Sequence, residues 1–268
     1  MEMSNLRFLS LSSGSFGNCY FLSFGGRGLL IDAGISLRSL KHSFERNNIS
    51  FGEIEAVLVT HDHLDHIRHL GSFCKKLGKP VYAAEALHKA LANHTFTRDY
   101  ISSCRRILDE GKWNDVAGMQ VRYFPVPHDA SFTCGFAVSA PGCKFAIMTD
   151  AGRVTDEAVS IMKQADVVVV ESNYDTGMLI GGPYPHELKM RICGGNGHLS
   201  NDECASAVRR FYHKGMKAIF LCHLSENNNT PALAYDCSYQ ALRELGVQAG
   251  EVLLKPLPRT YPSPLYIF

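Results

Sequence analysis

Five apolar runs in this chain each stop at a residue able to ligate a metal: GLLI at Asp32, AVLVT at His61, YFPVP at His128, FAIMT at Asp150 and IFLC at His223. Apolar runs this short, bounded by turn residues, read as buried strands. A sheet holds the side chains at its strand ends rigidly yet leaves them open to a crevice, the place where layered α/β structures bind ligands. Polar groups distant in sequence are therefore expected to converge along one edge. The remaining order is strand, loop, helix. LRFLSLS, CYFLSF, PVYAA, FAVSA and DVVVVES suit further strands, and helices are expected over 36–47, 66–77, 84–92, 155–164, 186–192, 200–213 and 231–244. Ser200 followed by Glu203 fits a capping box, and Thr155 ahead of Asp156 and Glu157 puts acids in a first turn, where the helix dipole favours them. No repeat, low-complexity tract or Pro/Ser-rich linker marks a boundary, so residues 1–268 are expected to form one domain.

The densest group of ligand-type side chains is THDHLDH at 60–66. His61 and His63, two apart after a strand, can both reach one ion once the chain turns into a loop. Asp65 and His66 point to other sides of so short a loop and do not easily share that ion, so two metals fit the geometry. Imidazole with carboxylate suits zinc, with manganese or iron as alternatives, and the lack of thiolate argues for an open catalytic site over a closed structural one. A lone histidine would read as a solvated loop residue; HxHxDH followed by strand-terminal His128, Asp150 and His223 does not. His69 reads as a solvated helix-face histidine, and His42, His88, His94 and His213 have no comparable context.

Composition narrows the class of protein. Lys+Arg 27 against Asp+Glu 26 gives a formal net charge of +1, so no global field recruits polyanions or anionic membranes, and any nucleic-acid contact must be local. The stretches around Arg105 and Arg209 read either as such contacts or as solvated faces. Nine cysteines with no CxxC pair point to free thiols in a reducing compartment. The N-terminal MEMSNLRFLSLSSGS lacks the pattern of a leader, and no window has the apolar length of a membrane span, so a cytoplasmic location without membrane contact is expected.

HDHLDH, VPHD at His128, MTDAG at Asp150, LCHLS at His223 and LIDAG at Asp32 together resemble the successive motifs of the metallo-β-lactamase fold superfamily, over nearly the whole chain. The resemblance implies an αββα sandwich: two mixed β-sheets face to face, helices on both outer faces, and a dinuclear site along one edge. It also implies that His61, His63 and His128 hold one ion, that Asp65, His66 and His223 hold the other, and that Asp150 bridges them. Asp32 resembles the fold's carboxylate that orients the HxHxDH loop, in keeping with the need of ligating histidines for a partner on their other nitrogen.

The separation of Asp150 from His223 is too short for the clamping domain of large RNase J-type nucleases. That of His128 from Asp150 is too short for the tRNA-gripping arm of tRNase Z. Leu64 and Asp65 follow the hydrolase pattern, not the glutamate-bearing one of flavodiiron oxidoreductases. SLSSGSFGNCYFL, VVVVESNYD and GPYPHELKMRICGGNGHLSNDECA resemble the small YycJ/WalJ-like branch, described as 5′-to-3′ exonucleases on DNA.

GHLSNDECA is similar to the tRNase Z motif in which a histidine near the leaving group pairs with a glutamate. By that likeness His198 and its partner Glu171 join Asp65 as the candidate catalytic residues. His198 also fits a plain turn entering the helix capped by Ser200, whereas Glu171, ending an apolar run, needs a partner in any case. Ser13, Ser15, Asn18 and Ser200 are candidate phosphate contacts, the first three in a loop that reads equally as an ordinary hairpin connection. The expected protein is thus a dinuclear-metal phosphodiesterase that cleaves DNA through a metal-bridging hydroxide. The alternatives are a small-molecule phosphodiesterase for cyclic nucleotides or phosphates, RNA as the substrate, and a non-catalytic metal-stabilised nucleic-acid-binding module.

Overall fold

The computed structural model describes residues 5–268; residues 1–4, the start of the N-terminal stretch read for a leader, lie outside the described residues. Strands β1 (Arg7–Gly14), β2 (Gly17–Phe24), β3 (Arg27–Ile31), β4 (Ile54–Leu58), β5 (Val81–Ala83) and β6 (Arg105–Ile107) lie side by side in chain order. Strands β7 (Asn114–Val116), β8 (Met119–Pro125), β9 (Cys134–Ala140), β10 (Cys143–Met148), β11 (Val167–Glu171), β12 (Ala218–Cys222) and β13 (Leu253–Pro256) do the same in a second sheet. The last strand, β14 (Tyr266–Ile267), crosses back to pair with β1, giving two seven-stranded sheets.

Each sheet is mixed in the same way. β1 to β3 and β7 to β10 pair antiparallel, whereas β3 to β6 and β10 to β13 pair parallel. A topological repeat thus exists where the sequence shows none, and its trace is the Asp-Ala-Gly that follows both β3 and β10, at Asp32 and Asp150.

The apolar runs explain the layering, because a strand buried on both faces needs no polar alternation. Phe145, Val167, Val169 and Phe220 point between the sheets, where Phe8 of β1 meets Phe145 and Phe220 at ring centroids 5.4 and 5.0 Å apart. Their neighbours Ala146, Val168, Val170 and Ile219 face outward, beneath the helices 156–162, 201–211 and 231–244. On the other outer face Phe21 packs edge-on against Phe44 of the helix Leu37–Arg46. The expected αββα sandwich is therefore present.

The strands expected from the sequence all form, while β6, β7, β13 and β14 carry too little apolar pattern to be read. The helix expected over 66–77 is two, Leu64–Ile67 and Leu70–Leu77, because the His69 N–H donates to Ala33 O. Short helices at Ile101–Cys104 and Thr176–Gly181 were not expected. Both helix caps form: Thr155 accepts from Ala158 N, and Ser200 and Glu203 make a reciprocal box. All nine cysteines are free thiols, and no helix among the described residues is long and apolar enough to cross a membrane.

Candidate metal centre

The parallel strands deliver their C-terminal residues to one edge of the sandwich. Asp32, Asp150 and His223, each just past a strand, adopt left-handed backbone with φ of 63°, 51° and 53°. This conformation is uncommon outside glycine and concentrates at functional sites. It turns the chain sharply, so the side chain is presented at the sheet edge. Nothing in the sequence pattern signalled it.

Asp32 is wholly buried and organises the THDHLDH loop. One oxygen accepts from the Thr60 N–H at 2.8 Å; the other accepts from the Thr60 hydroxyl at 2.8 Å and from His66 Nδ1 at 2.7 Å. With its proton given to Asp32, the Thr60 hydroxyl accepts from His61 Nδ1, 3.0 Å away. Both histidines thereby turn Nε2 away from Asp32: that of His61 has no hydrogen-bond partner, whereas that of His66 lies 2.9 Å from Asn18 Nδ2. His61 is held well below the usual histidine range by burial and by His66 beside it, so it stays neutral, as a ligand must.

The remaining histidines are oriented by backbone carbonyls or a carboxylate. His128 Nδ1 donates to Gly197 O at 2.8 Å, and His63 Nε2 to Asp129 O at 3.2 Å. That leaves His128 Nε2 and His63 Nδ1 facing each other at 3.2 Å. His223 Nδ1 lies 3.0 Å from Glu171 Oε1, and its Nε2 is 3.5 Å from Asp65 Oδ2.

Asp150 stands between the groups, 3.1 Å from His66 Nε2 and 3.3 Å from His223 Nδ1. Burial would raise the Asp150 carboxyl, but His223, His66 and His61 around it hold it well below the usual range.

These residues fit divalent metal. His61 Nε2 and His223 Nε2 are buried without any hydrogen-bond partner, which costs free energy unless something binds them. The facing lone pairs of His63 and His128 make the same demand. Two ligand sets lie within reach of single ions, His61–His63–His128 and Asp65–His66–His223, while Asp150 groups both with His61 and His66 and with Glu171, His198 and His223.

Glu171 ends β11 and is wholly buried. Its Oε1 receives His198 Nδ1 at 2.8 Å as well as His223, and its Oε2 receives the N–H groups of Ala151 at 2.9 Å and Leu199 at 3.1 Å. Four donors offset the burial of the carboxylate. Burial pushes His198 down, yet Glu171 and Asp150 outweigh it and raise its pKa above the ordinary value. His198 lines the cleft with His63, Asp65, Asp150 and His223.

The four candidate phosphate contacts separate. Ser13 is buried, its hydroxyl accepting the His223 N–H at 2.9 Å and facing Tyr20 OH. Asn18 is buried too, donating to Gly14 O and Asp65 Oδ2. Ser200 is committed to its cap. Only Ser15 opens onto the cleft. His69 takes no part in the ligand groups. Arg105 begins the exposed edge strand β6, and Arg209 pairs with Glu244 at 2.7 Å on the surface.

Sequence reasoning missed Thr60 and a buried amide network. Asn173 donates to His223 O at 2.7 Å, and Asn229 donates to the carbonyls of Ser172 and Asn173 and to Asn201 Oδ1. The one available signal was the polar SNYD that breaks off the VVVVE run.

A family model described as the beta-lactamase superfamily domain matches residues 27–223. The exodeoxyribonuclease YycJ of Bacillus anthracis is 34% identical over 246 residues, covering 92% of each chain. The exodeoxyribonuclease WalJ of Streptococcus pneumoniae serotype 2 is 32% identical over 250 residues, covering 93% of each. Among solved structures, unliganded yeast PDE1 superposes with a TM-score of 0.72 at 11% identity, covering 99% of this chain and 100% of that one. With the sandwich, the ligand cluster and these relatives in agreement, the chain belongs to the metallo-β-lactamase fold superfamily, in its WalJ/YycJ-like exonuclease branch, as a metal-dependent hydrolase.

Proposed function

We propose that residues 1–268 form one dinuclear-metal phosphodiesterase domain that removes nucleotides from DNA in the 5′-to-3′ direction, in a reducing, cytoplasmic setting. His61, His63 and His128 would hold one ion, Asp65, His66 and His223 the other, with Asp150 shared. Zinc suits this donor set, with manganese or iron as alternatives. Divalent ions held there supply Lewis acidity: a nucleophile from water at neutral pH and neutralisation of charge on phosphoryl oxygens.

The chain's own residues do the rest. Glu171 raises the His198 pKa and fixes its Nδ1, so Nε2 is the atom that would carry a proton toward the leaving 3′ oxygen. Asp32 and Thr60 keep His61 and His66 in the ligating tautomer. Ser15, the one candidate phosphate contact on the cleft, is placed to meet a substrate oxygen.

The observation that carries this reading is the Glu171–His198 pair beside the ligand cluster: an acid on the leaving-group side is what phosphodiester cleavage requires. Exonuclease-named relatives over nine-tenths of the chain support DNA as the substrate. Metal-loaded protein assayed on 3′-labelled single- and double-stranded DNA and RNA and on cyclic dinucleotides, with His61→Ala as control, tests it. Stepwise release of mononucleotides from DNA is expected. Hydrolysis of the cyclic dinucleotides alone would make this a small-molecule phosphodiesterase, and binding without turnover a non-catalytic module.

A further inference from the structure

At the tip of the β1–β2 hairpin, Ser15 and Phe16 form a two-residue turn between the paired Gly14 and Gly17. Neither residue has a positive φ, so the turn does not demand glycine, asparagine or aspartate, and its second position carries a phenylalanine that is 64% exposed. An exposed aromatic ring next to a residue that lines a polar cleft is available to stack on a ligand.

The tip is not a loose end. Asn18 ties the base of the turn to Gly14 O and Asp65 Oδ2, at 3.1 and 3.0 Å, and Ser13 holds the His223 N–H. Gly17 packs so closely on Gly34 that an added Cβ would lie 2.8 Å from its carbonyl oxygen. The backbone carrying the Phe16 ring is thus fixed relative to the ligands of the metal centre, and its neighbour Ser15 lines the cleft.

Two arginines lie along this hairpin. Arg68 Nη1 lies 3.5 Å from Phe16 O, and the Arg259 side chain runs beside Gly14 to donate to Ser225 O, on the cleft wall, at 3.1 Å. Both arginines are half-buried, and among the described residues neither has a carboxylate within ion-pair distance. The cleft itself has a volume of about 330 Å³, at the small end for ligand sites, so it takes one unit of a polymer and leaves the rest on the rim.

We infer that Phe16 is a stacking platform for a nucleobase of a single-stranded polynucleotide, with Arg68 and Arg259 holding the neighbouring phosphates. An aromatic face with adjacent cations is how proteins bind single strands regardless of sequence. The inference rests on the phosphodiesterase reading and adds to it the residues that select a polynucleotide over a small phosphodiester.

The test uses metal-loaded protein with a 3′-labelled single-stranded oligonucleotide, read by turnover, and with the same strand carrying a cleavage-resistant backbone, read by fluorescence anisotropy. Phe16→Ala raises KM and the dissociation constant about 5- to 100-fold, by the loss of one stacked base, and moves kcat far less; Phe16→Tyr restores both. Deleting the base next to the cleft with an abasic nucleotide weakens the wild type by a similar factor, and Phe16→Ala then loses nothing further. Arg68→Gln and Arg259→Gln each reduce the salt slope of binding by about 0.7, the single-strand value per phosphate. Equal binding by wild type and Phe16→Ala, or a Phe16→Ala penalty undiminished on the abasic strand, overturns the platform. Failure of the wild type to turn over any DNA counts against the phosphodiesterase instead, and the anisotropy ratio still decides the role of Phe16.

Discussion

Nδ1 of His198 lies 2.8 Å from Oε1 of Glu171, a carboxylate sealed from solvent at the end of β11. The pairing, with Asp150 close by, raises the His198 pKa above the ordinary histidine value. His198→Ala is expected to retain bound metal by elemental analysis while kcat falls about 10²- to 10⁴-fold, the usual worth of a positioned acid; an unchanged kcat removes His198 from the chemistry. Glu171→Gln takes away the charge that raises the His198 pKa. An acid works only while protonated, so the high-pH limb of the kcat profile should move to lower pH in that variant.

In the proposed centre Asp32 would serve metal binding through Thr60 and His66 without touching the metal. It accepts three hydrogen bonds from Thr60 and His66, and an amide in its place would direct N–H against those donors. Asparagine tolerates the left-handed backbone found there, so Asp32→Asn tests the carboxylate and not the turn. Metal affinity, measured by competition with a chelator, should weaken about 10- to 100-fold. Unaltered affinity would mean that the loop orients itself.

Gly34 has no room for a side chain: an added Cβ would sit 1.8 Å from Asp65 O and 2.5 Å from Asn18 N. Gly152 meets the same limit against Gly195 O at 2.4 Å, in the turn that leads to His198. Gly34→Ala must push the Asp65 loop away from the hairpin. The expected outcome is loss of metal from elemental analysis in protein that still melts cooperatively, since the inter-sheet core is elsewhere. Full metal content in Gly34→Ala would show that the loop gives way without consequence.

Protons and metal compete for the same nitrogens. Burial pushes His223 down, but Asp150, Asp65 and Glu171 together hold it up at about 10 in the metal-free protein. Ligation must displace that proton, so metal uptake should release acid and apparent affinity should climb as pH rises from 7 toward 9. Titration with zinc in a weakly buffered indicator solution reads both; uptake without proton release would be the contrary result. For the metal-free fold the raised value adds stability that is present in full below the ordinary histidine value of 6.5 and lost as pH rises through about 10. Chelator-treated protein should therefore melt at lower temperature at pH 10 than at pH 6.

Much of the centre was legible because its chemistry is carried by residue type and order. HDHLDH, and the strand-terminal Asp32, His128, Asp150 and His223, announce their positions through the apolar runs before them, and covalent order is enough to place them at strand ends. The edges were not legible: β6 with Arg105–Ile107 and β14 with Tyr266–Ile267 are short, and they pair because a neighbouring strand offers free N–H and C=O groups, which no local pattern records.

The tertiary structure decided what each polar group is free to do. Ser13, Asn18 and Ser200 have the side chains of phosphate contacts, yet packing commits them to the His223 N–H, to Asp65 and to a helix cap, and leaves Ser15 on the cleft. Phe16 reads as a plain turn residue until the hairpin is seen tied through Asn18 to Asp65. The sequence determined which atoms could bind metal and at which strand ends they sit. Only the fold determined which of their hydrogen-bonding positions remained unspent, because a hydrogen bond is satisfied by whatever the chain brings within 3 Å, however far away in sequence that partner lies.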